Sequence, residues 1–164
     1  MKKAALPPPI RFLLAHPAHF FALGCGSGLA PRAPGTFGTL FAWGSFVLLR
    51  PLCGAWGFAL LLAIAFVLGI WMIHLTGQRL NEPDHGSIVW DEIVPFWAVL
   101  FLMPGDWRWQ ALAFLLFRFF DITKPQPARW FDRNMKNGLG VMMDDVVAAA
   151  YTVLTLMLMQ WIHS

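Results

Sequence analysis

Residues 51–73, PLCGAWGFALLLAIAFVLGIWMI, run for 23 positions without a charged side chain. A helix of that length crosses the ~30 Å hydrocarbon core of a bilayer. Residues 146–164 also lack Asp, Glu, Lys and Arg, and 33–49 form a third uncharged run rich in Gly, Thr and aromatics. Shorter apolar runs at 93–105 and 109–117 reach spanning length only when extended through Asp91-Glu92 and through Arg118–Asp121. Between them Pro104-Gly105-Asp106 reads as a tight turn, which makes an antiparallel hairpin. The pattern predicts an all-α, polytopic membrane helical bundle. It has about five spanning helices, near 35–49, 54–75, 88–104, 107–122 and 140–162. Residues 1–23, with Pro7-Pro8-Pro9 and scattered Ile, Leu and Phe, read as an N-terminal interfacial segment rather than a cleaved signal peptide.

Composition agrees. Charged residues make up 13% of the chain and apolar ones 58%, against about 25% charged in a soluble domain. That argues against an ordinary soluble enzyme, a disordered chain and a secreted disulfide scaffold, since Cys25 and Cys53 are the only cysteines. The net charge is 12 − 9 = +3, and the basic residues are scattered among Trp and Phe, so no nucleic-acid partner is expected. With the N-terminus inside, Lys2, Lys3, Arg11, Arg32, Arg79, Arg118, Lys124, Arg129, Arg133 and Lys136 fall on the inner side, and Arg50 and Arg108 outside. The opposite orientation would violate the positive-inside rule.

In this orientation eight of the nine acidic residues also fall inside: Glu82, Asp84, Asp91, Glu92, Asp121, Asp132, Asp144 and Asp145. Spans 1, 3 and 5 begin at the same face, with their backbone N–H groups pointing into it. Carboxylates, guanidinium groups and helix N-termini on one face suit a phosphate held through a divalent cation.

Four blocks carry this chemistry. GCGSGLAPRAPGTFGTL (24–40) reads either as a loop approaching a phosphate, with Ser27, Arg32 and Thr36 as donors, or as a lead-in to close helix packing through Gly35/Thr39 and Gly38/Ala42. Asp91-Glu92 opens span 3. Burying both carboxylates at membrane depth is costly without a partner, which favours metal ligation or base catalysis over simple helix capping. Arg118 and Asp121 share a helix face, with Lys124, Arg129 and Asp132 beyond. They read either as a phosphate grip with Asp121 on a metal, or as an ion pair followed by a basic surface segment. Asp144-Asp145 opens the last span. His16, His19, His74 and His163 are too dispersed for a zinc site.

Other hydrolytic chemistries lack their parts. Six residues separate Cys25 from Arg32, one more than a cysteine-phosphatase loop has. Ser27-Gly28 is followed by Leu29, not by a nucleophilic histidine. In Gly24-Cys25-Gly26-Ser27-Gly28 the serine stands one place too late for a nucleophile elbow. A metal-activated water remains, with Mg²⁺ the natural metal for oxygen ligands.

GSGLAPRAPGTFGTL (26–40), DHGSIVWDEIV (84–94), FRFFDITKPQPARWFDRN (117–134) and GLGVMMDDVVA (138–148) together resemble the phosphatidylglycerophosphatase A family, in its order and with its spacing. The resemblance covers roughly 20–150 and makes 24–164 one membrane domain. Pro95 stands where the family pattern usually has Gly, and Gln126 where an aromatic is common. The resemblance implies Mg²⁺-dependent hydrolysis of phosphatidylglycerophosphate to phosphatidylglycerol and phosphate at the cytoplasmic face of a bacterial inner membrane. The expected catalytic pool is Asp91, Glu92, Asp121, Asp144 and Asp145, of which Glu92, Asp121, Asp144 and Asp145 are the Mg²⁺ ligands. The expected substrate-binding set is Ser27, Arg32, Gly35, Thr36, Arg118, Lys124, Arg129 and Asp132. The competing expectation is a non-catalytic membrane protein that binds anionic lipid or a partner at its inner face. A transporter is a third, disfavoured because the spans show no inverted repeat.

Overall fold

The computed structural model describes residues 6–103 and 105–163, excepting the side chain of His163. Lys2, Lys3 and the first residue of the expected turn at Pro104 lie outside that range. The described residues form helices joined by short loops, with no strand among them. Two short helices lead, α1 (Ile10–Leu14) and α2 (Pro17–Ala22). Pro17 starts α2, and the His16 ring caps it by accepting from the Ala18 N–H at 3.1 Å. A tight turn over Gly24–Leu29 leads into α3 (Pro34–Leu80).

α3 is 47 residues long and bent. Pro51 removes a helical hydrogen bond, and three residues later Gly54 leaves the helix altogether, at φ 65° and ψ −177°. That region is open essentially to glycine alone. The bend divides α3 into arms over 34–53 and 55–80. α4 (Trp90–Leu102) lies between the arms and is buried along most of its length. The Trp97 indole donates to the Ala42 carbonyl at 2.9 Å, and the Trp90 indole donates to the Ala65 carbonyl at 3.0 Å. One helix therefore pins both arms. Gly69 leaves room for Trp90, because a Cβ there would stand 2.7 Å from the ring.

α5 (Trp107–Thr123) begins at Asp106, whose carboxylate accepts from the N–H groups of Arg108 and Trp109 at 3.0 and 3.2 Å. It ends at Lys124, in the left-handed region at φ 44°. α6 (Ala128–Asn134) is short, and α7 (Gly138–His163) closes the bundle. The core joins Phe58 of α3, Ile93 and Phe96 of α4, Phe117 of α5, and Met142 and Leu156 of α7. The outer faces are apolar: Trp56 is 90% exposed and Trp161 77%.

Among the described residues two helices, α3 and α7, have the length and hydropathy to cross a membrane. The sequence suggests about five spans, and the difference has physical causes. Two expected spans, 35–49 and 54–75, are the two arms of α3, which continue into one another across the kink at Gly54 and so count as one helix. α4 has 13 residues, some 20 Å at 1.5 Å per residue, short of a ~30 Å core. α5 has 17 residues and carries Arg108, Arg118 and Asp121. Pro95 does not begin α4 but lies inside it, so the Asp91 carbonyl lacks its usual helical partner.

Candidate active site

The first turns of α3, α4 and α7 and the last turn of α5 meet at one end of the bundle. Glu92 comes from the first turn of α4. Its carboxylate lies against the start of α3, where a Cβ on Gly35 would overlap it and one on Gly38 would approach it to 3.1 Å. The small residues of this turn therefore admit an acid rather than only another helix backbone.

Arg118 joins three elements. Its Nη1 lies 2.9 Å from Glu92 Oε1 and 2.6 Å from Asp121 Oδ2. The same nitrogen donates to Thr39 Oγ1 of α3 at 3.5 Å, and that hydroxyl in turn donates to the Gly35 carbonyl at 2.8 Å.

A second group is built on Lys124. Its ammonium donates to Asp144 Oδ2 and lies 3.3 Å from Asp132 Oδ1 of α6. Lys136 reaches the Asp132 carbonyl and stands 4.0 Å from its carboxylate. Burial acts to lower the Lys124 pKa, but the Asp144 and Asp145 carboxylates outweigh it. The net shift is upward, so the group stays protonated.

Asp91, Asp144 and Asp145 are 7%, 5% and 3% exposed. Asp145 lies within electrostatic reach of both Arg118 and Lys124, which links the two groups. Asp84, from the loop before α4, stands within the same reach of Asp91, Glu92 and Asp144. Asp91 Oδ1, Glu92 Oε2 and Asp144 Oδ1 are buried without a hydrogen-bond partner. Leaving a buried acceptor unsatisfied costs of order 1–3 kcal/mol, so these three oxygens call for a donor or a cation.

Among the described residues no three His, Cys, Asp or Glu side chains converge into a ready-made metal cage. The donor set still fits Mg²⁺, which binds through one or two carboxylates and completes its shell with water and phosphate oxygens.

Of the expected residues, the structure brings Asp91, Glu92, Arg118, Asp121, Lys124, Asp132, Asp144 and Asp145 together, with Gly35 beneath Glu92. The others sit differently. Ser27 turns its hydroxyl to the Gly24 carbonyl at 2.8 Å. The Thr36 N–H is taken by the Ala33 carbonyl at 2.9 Å. Arg32 is exposed. Arg129 is exposed and donates to the Thr123 carbonyl at 3.4 Å. His85, in the loop before α4, is buried and accepts from the Ser87 N–H at 3.1 Å.

Sequence reasoning overlooked Thr39 as a polar partner, reading it only as a small packing residue. It left Asp84 outside the site. The signal for Asp84 was its place in the same inner loop as Asp91; for Thr39 it was one helical turn's distance from Gly35.

Fold and site together define an all-helical, membrane-associated protein with a buried acid–base cluster at one end. The chain belongs to the phosphatidylglycerophosphatase A family, whose match spans residues 20–160. It is 44% identical to phosphatidylglycerophosphatase A of Haemophilus influenzae over 155 residues, 94% of this chain and 95% of that one. It is 42% identical to phosphatidylglycerophosphatase A of Escherichia coli over 140 residues, 84% and 80% of the two chains. A relative from Bacteroides thetaiotaomicron, 38% identical over 85% of this chain and 91% of its own, is provisionally named a phosphatidylinositol-3-phosphatase. No solved structure matches the chain.

Proposed function

We propose that this protein hydrolyses the terminal phosphate monoester of phosphatidylglycerophosphate, releasing phosphatidylglycerol and inorganic phosphate. The observation that carries the reading is the cluster of Asp91, Glu92, Arg118, Asp121, Lys124, Asp144 and Asp145, which lies wholly inside the stretch matched by the family. A phosphate monoester dianion needs positive charge to approach five carboxylates, and Arg118 and Lys124 supply part of it. One or two carboxylates of the set Glu92, Asp121, Asp144 and Asp145 would hold Mg²⁺, which when bound would supply the remaining charge and lower the pKa of a water that attacks phosphorus.

The chain's own residues do the rest. Arg118 fixes the Glu92 and Asp121 carboxylates. Lys124, held by Asp144 and Asp132, offers a permanent cation to phosphate oxygens. The buried Asp91 carboxylate takes the proton released by the attacking water and returns it to the departing glycerol oxygen. Arg32 and Arg129, both exposed, complete the proposed phosphate contacts from the rim, whereas Ser27 and the Gly35-Thr36 backbone are engaged within the protein.

The bundle sits in a bacterial inner membrane with the cluster facing the cytoplasm, on the strength of ten of twelve Lys and Arg residues on that side. The two arms of α3, with α4, α5 and α7, make up the five membrane-embedded segments, and the described part of the N-terminal segment, 6–23, lies along the interface.

The deciding experiment measures phosphate release from the lipid in detergent, with and without Mg²⁺, for the parent and for Asp144→Asn and Asp145→Asn. Release is expected only from the parent with Mg²⁺. A membrane-inserted parent that binds the lipid and releases nothing would favour the non-catalytic lipid-binding alternative.

A further inference from the structure

Three depressions follow one another from the carboxylates outward. The first, at the cluster, is a closed seam between Asp84, Asp132, Lys136 and Asp144 with no room for a water molecule. The second, of about 330 Å³, shares Lys136 with it and adds His74, Gln78, Asn81 and Asn137. The third, of about 460 Å³, shares His74 and Asn137 with the second and continues over Val67, Ile70, Trp71 and Leu139. Acidic and basic groups thus give way to neutral hydrogen-bonding groups, and these to hydrocarbon.

The order is written on one face of α3. Positions 67, 71, 74 and 78 recur at steps of four and three, so they form a single stripe about 17 Å long, and Asn81 follows just past the helix end. Val67 and Trp71 are 65% and 54% exposed, on an arm apolar enough to lie in a membrane. Toward the cluster the stripe turns to His74, Gln78 and Asn81. Gln78 Nε2 and His74 Nε2 are 3.1 Å apart, and both side chains line the pocket. Asn137 spends its carbonyl oxygen on the Gly140 N–H at 2.9 Å, and its amide N–H groups can donate. The middle pocket has Lys136 but no carboxylate in its wall, so a phosphodiester meets no repulsion there.

We infer that this track is the seat of the whole lipid: the terminal phosphate at the carboxylates, the hydroxylated headgroup and its phosphodiester against Gln78, Asn81 and Lys136, and an acyl chain along Val67, Trp71 and Leu139. The inference rests on the proposed lipid phosphatase activity and adds to it the residues that select the headgroup. The match is one of sequence along the ligand: doubly charged end, polar neutral middle, apolar tail. A substrate so placed enters sideways from the bilayer and is never lifted out of it.

The test uses the full chain in mixed micelles and two substrates, phosphatidylglycerophosphate and its deacylated, water-soluble headgroup. Val67→Ala with Trp71→Ala is expected to raise KM for the lipid about tenfold through lost apolar contact, with kcat unchanged and no effect on the soluble compound. Gln78→Ala and Asn81→Gly are expected to lower kcat/KM about tenfold on both, since a hydrogen-bonding pocket loses its partners. Glycine at 81 keeps the left-handed backbone that Asn81 adopts.

A lipid carrying a diazirine in its acyl chain is expected to cross-link to 67–71 and 139, whether or not the soluble compound is turned over. Cross-links on α5 instead, or groove variants that affect both substrates equally, would overturn the track. Cross-linking at 67–71 by a parent protein that releases no phosphate would leave the track standing and remove the phosphatase reading.

Discussion

The carboxylate of Glu92 fills the space that a Cβ on Gly35 would need. An acid from the start of α4 thereby rests directly on the backbone of the first turn of α3. Gly35→Ala must displace Glu92 and with it the Arg118 contact. We expect phosphate release to fall about 100-fold from a misplacement on the ångström scale, with helix content by circular dichroism unchanged. Full activity would show that the Glu92 position is not critical.

Arg118 is the hub of its group, with Glu92 and Asp121 both within 2.9 Å. Arg118→Met leaves two largely buried carboxylates without their cation, and such a loss costs roughly 3 kcal/mol. The double variant Arg118→Met/Glu92→Gln should be less destabilised than the single one. Thermal unfolding in detergent reads both, and equal midpoints for the two would refute the pairing.

His19 is buried, stacks on Phe12 at 4.4 Å and lies 2.9 Å from Thr76 Oγ1. Burial, then the neighbouring His16 and Arg79, lower its pKa. The unfolded chain therefore binds a proton, from about pH 6.5 downward, that the folded chain resists. Stability should decline as pH falls through that value and continue to fall until the folded pKa is passed. His19→Gln should flatten this slope in a series of unfolding curves; an unchanged slope would place the titration elsewhere.

Gly54 holds a backbone conformation that other residues enter only under strain, yet a Cβ there would touch nothing. Gly54→Ala thus tests conformation alone. It should cost about 2 kcal/mol in the same unfolding assay, whereas Gly44→Ala, also in open space but inside the first arm, should cost nothing measurable.

Much of this was readable from residue order. The expected spans match two helices closely: 107–122 against Trp107–Thr123, and 140–162 against Gly138–His163. The gathering of Glu92, Asp121, Asp144 and Asp145 followed from counting charges by side, since successive antiparallel spans return alternate ends to the same face. What order along the chain does not carry is which atom meets which. Gly35 reads equally as a phosphate-binding turn and as a packing site, and only the fold shows that its neighbour is a carboxylate. The spans expected at 35–49 and 54–75 correspond to the two arms of α3, which part at Gly54 rather than at Pro51.

α4 is too short to match the helices around it. Standing upright, a rod of some 20 Å leaves about a third of a ~30 Å slab unmatched, and because α4 is buried between the arms of α3 the missing length is walled by protein rather than by lipid. If that recess lies at the Glu92 end, the scissile ester is met in a sheltered well that the longer helices enclose.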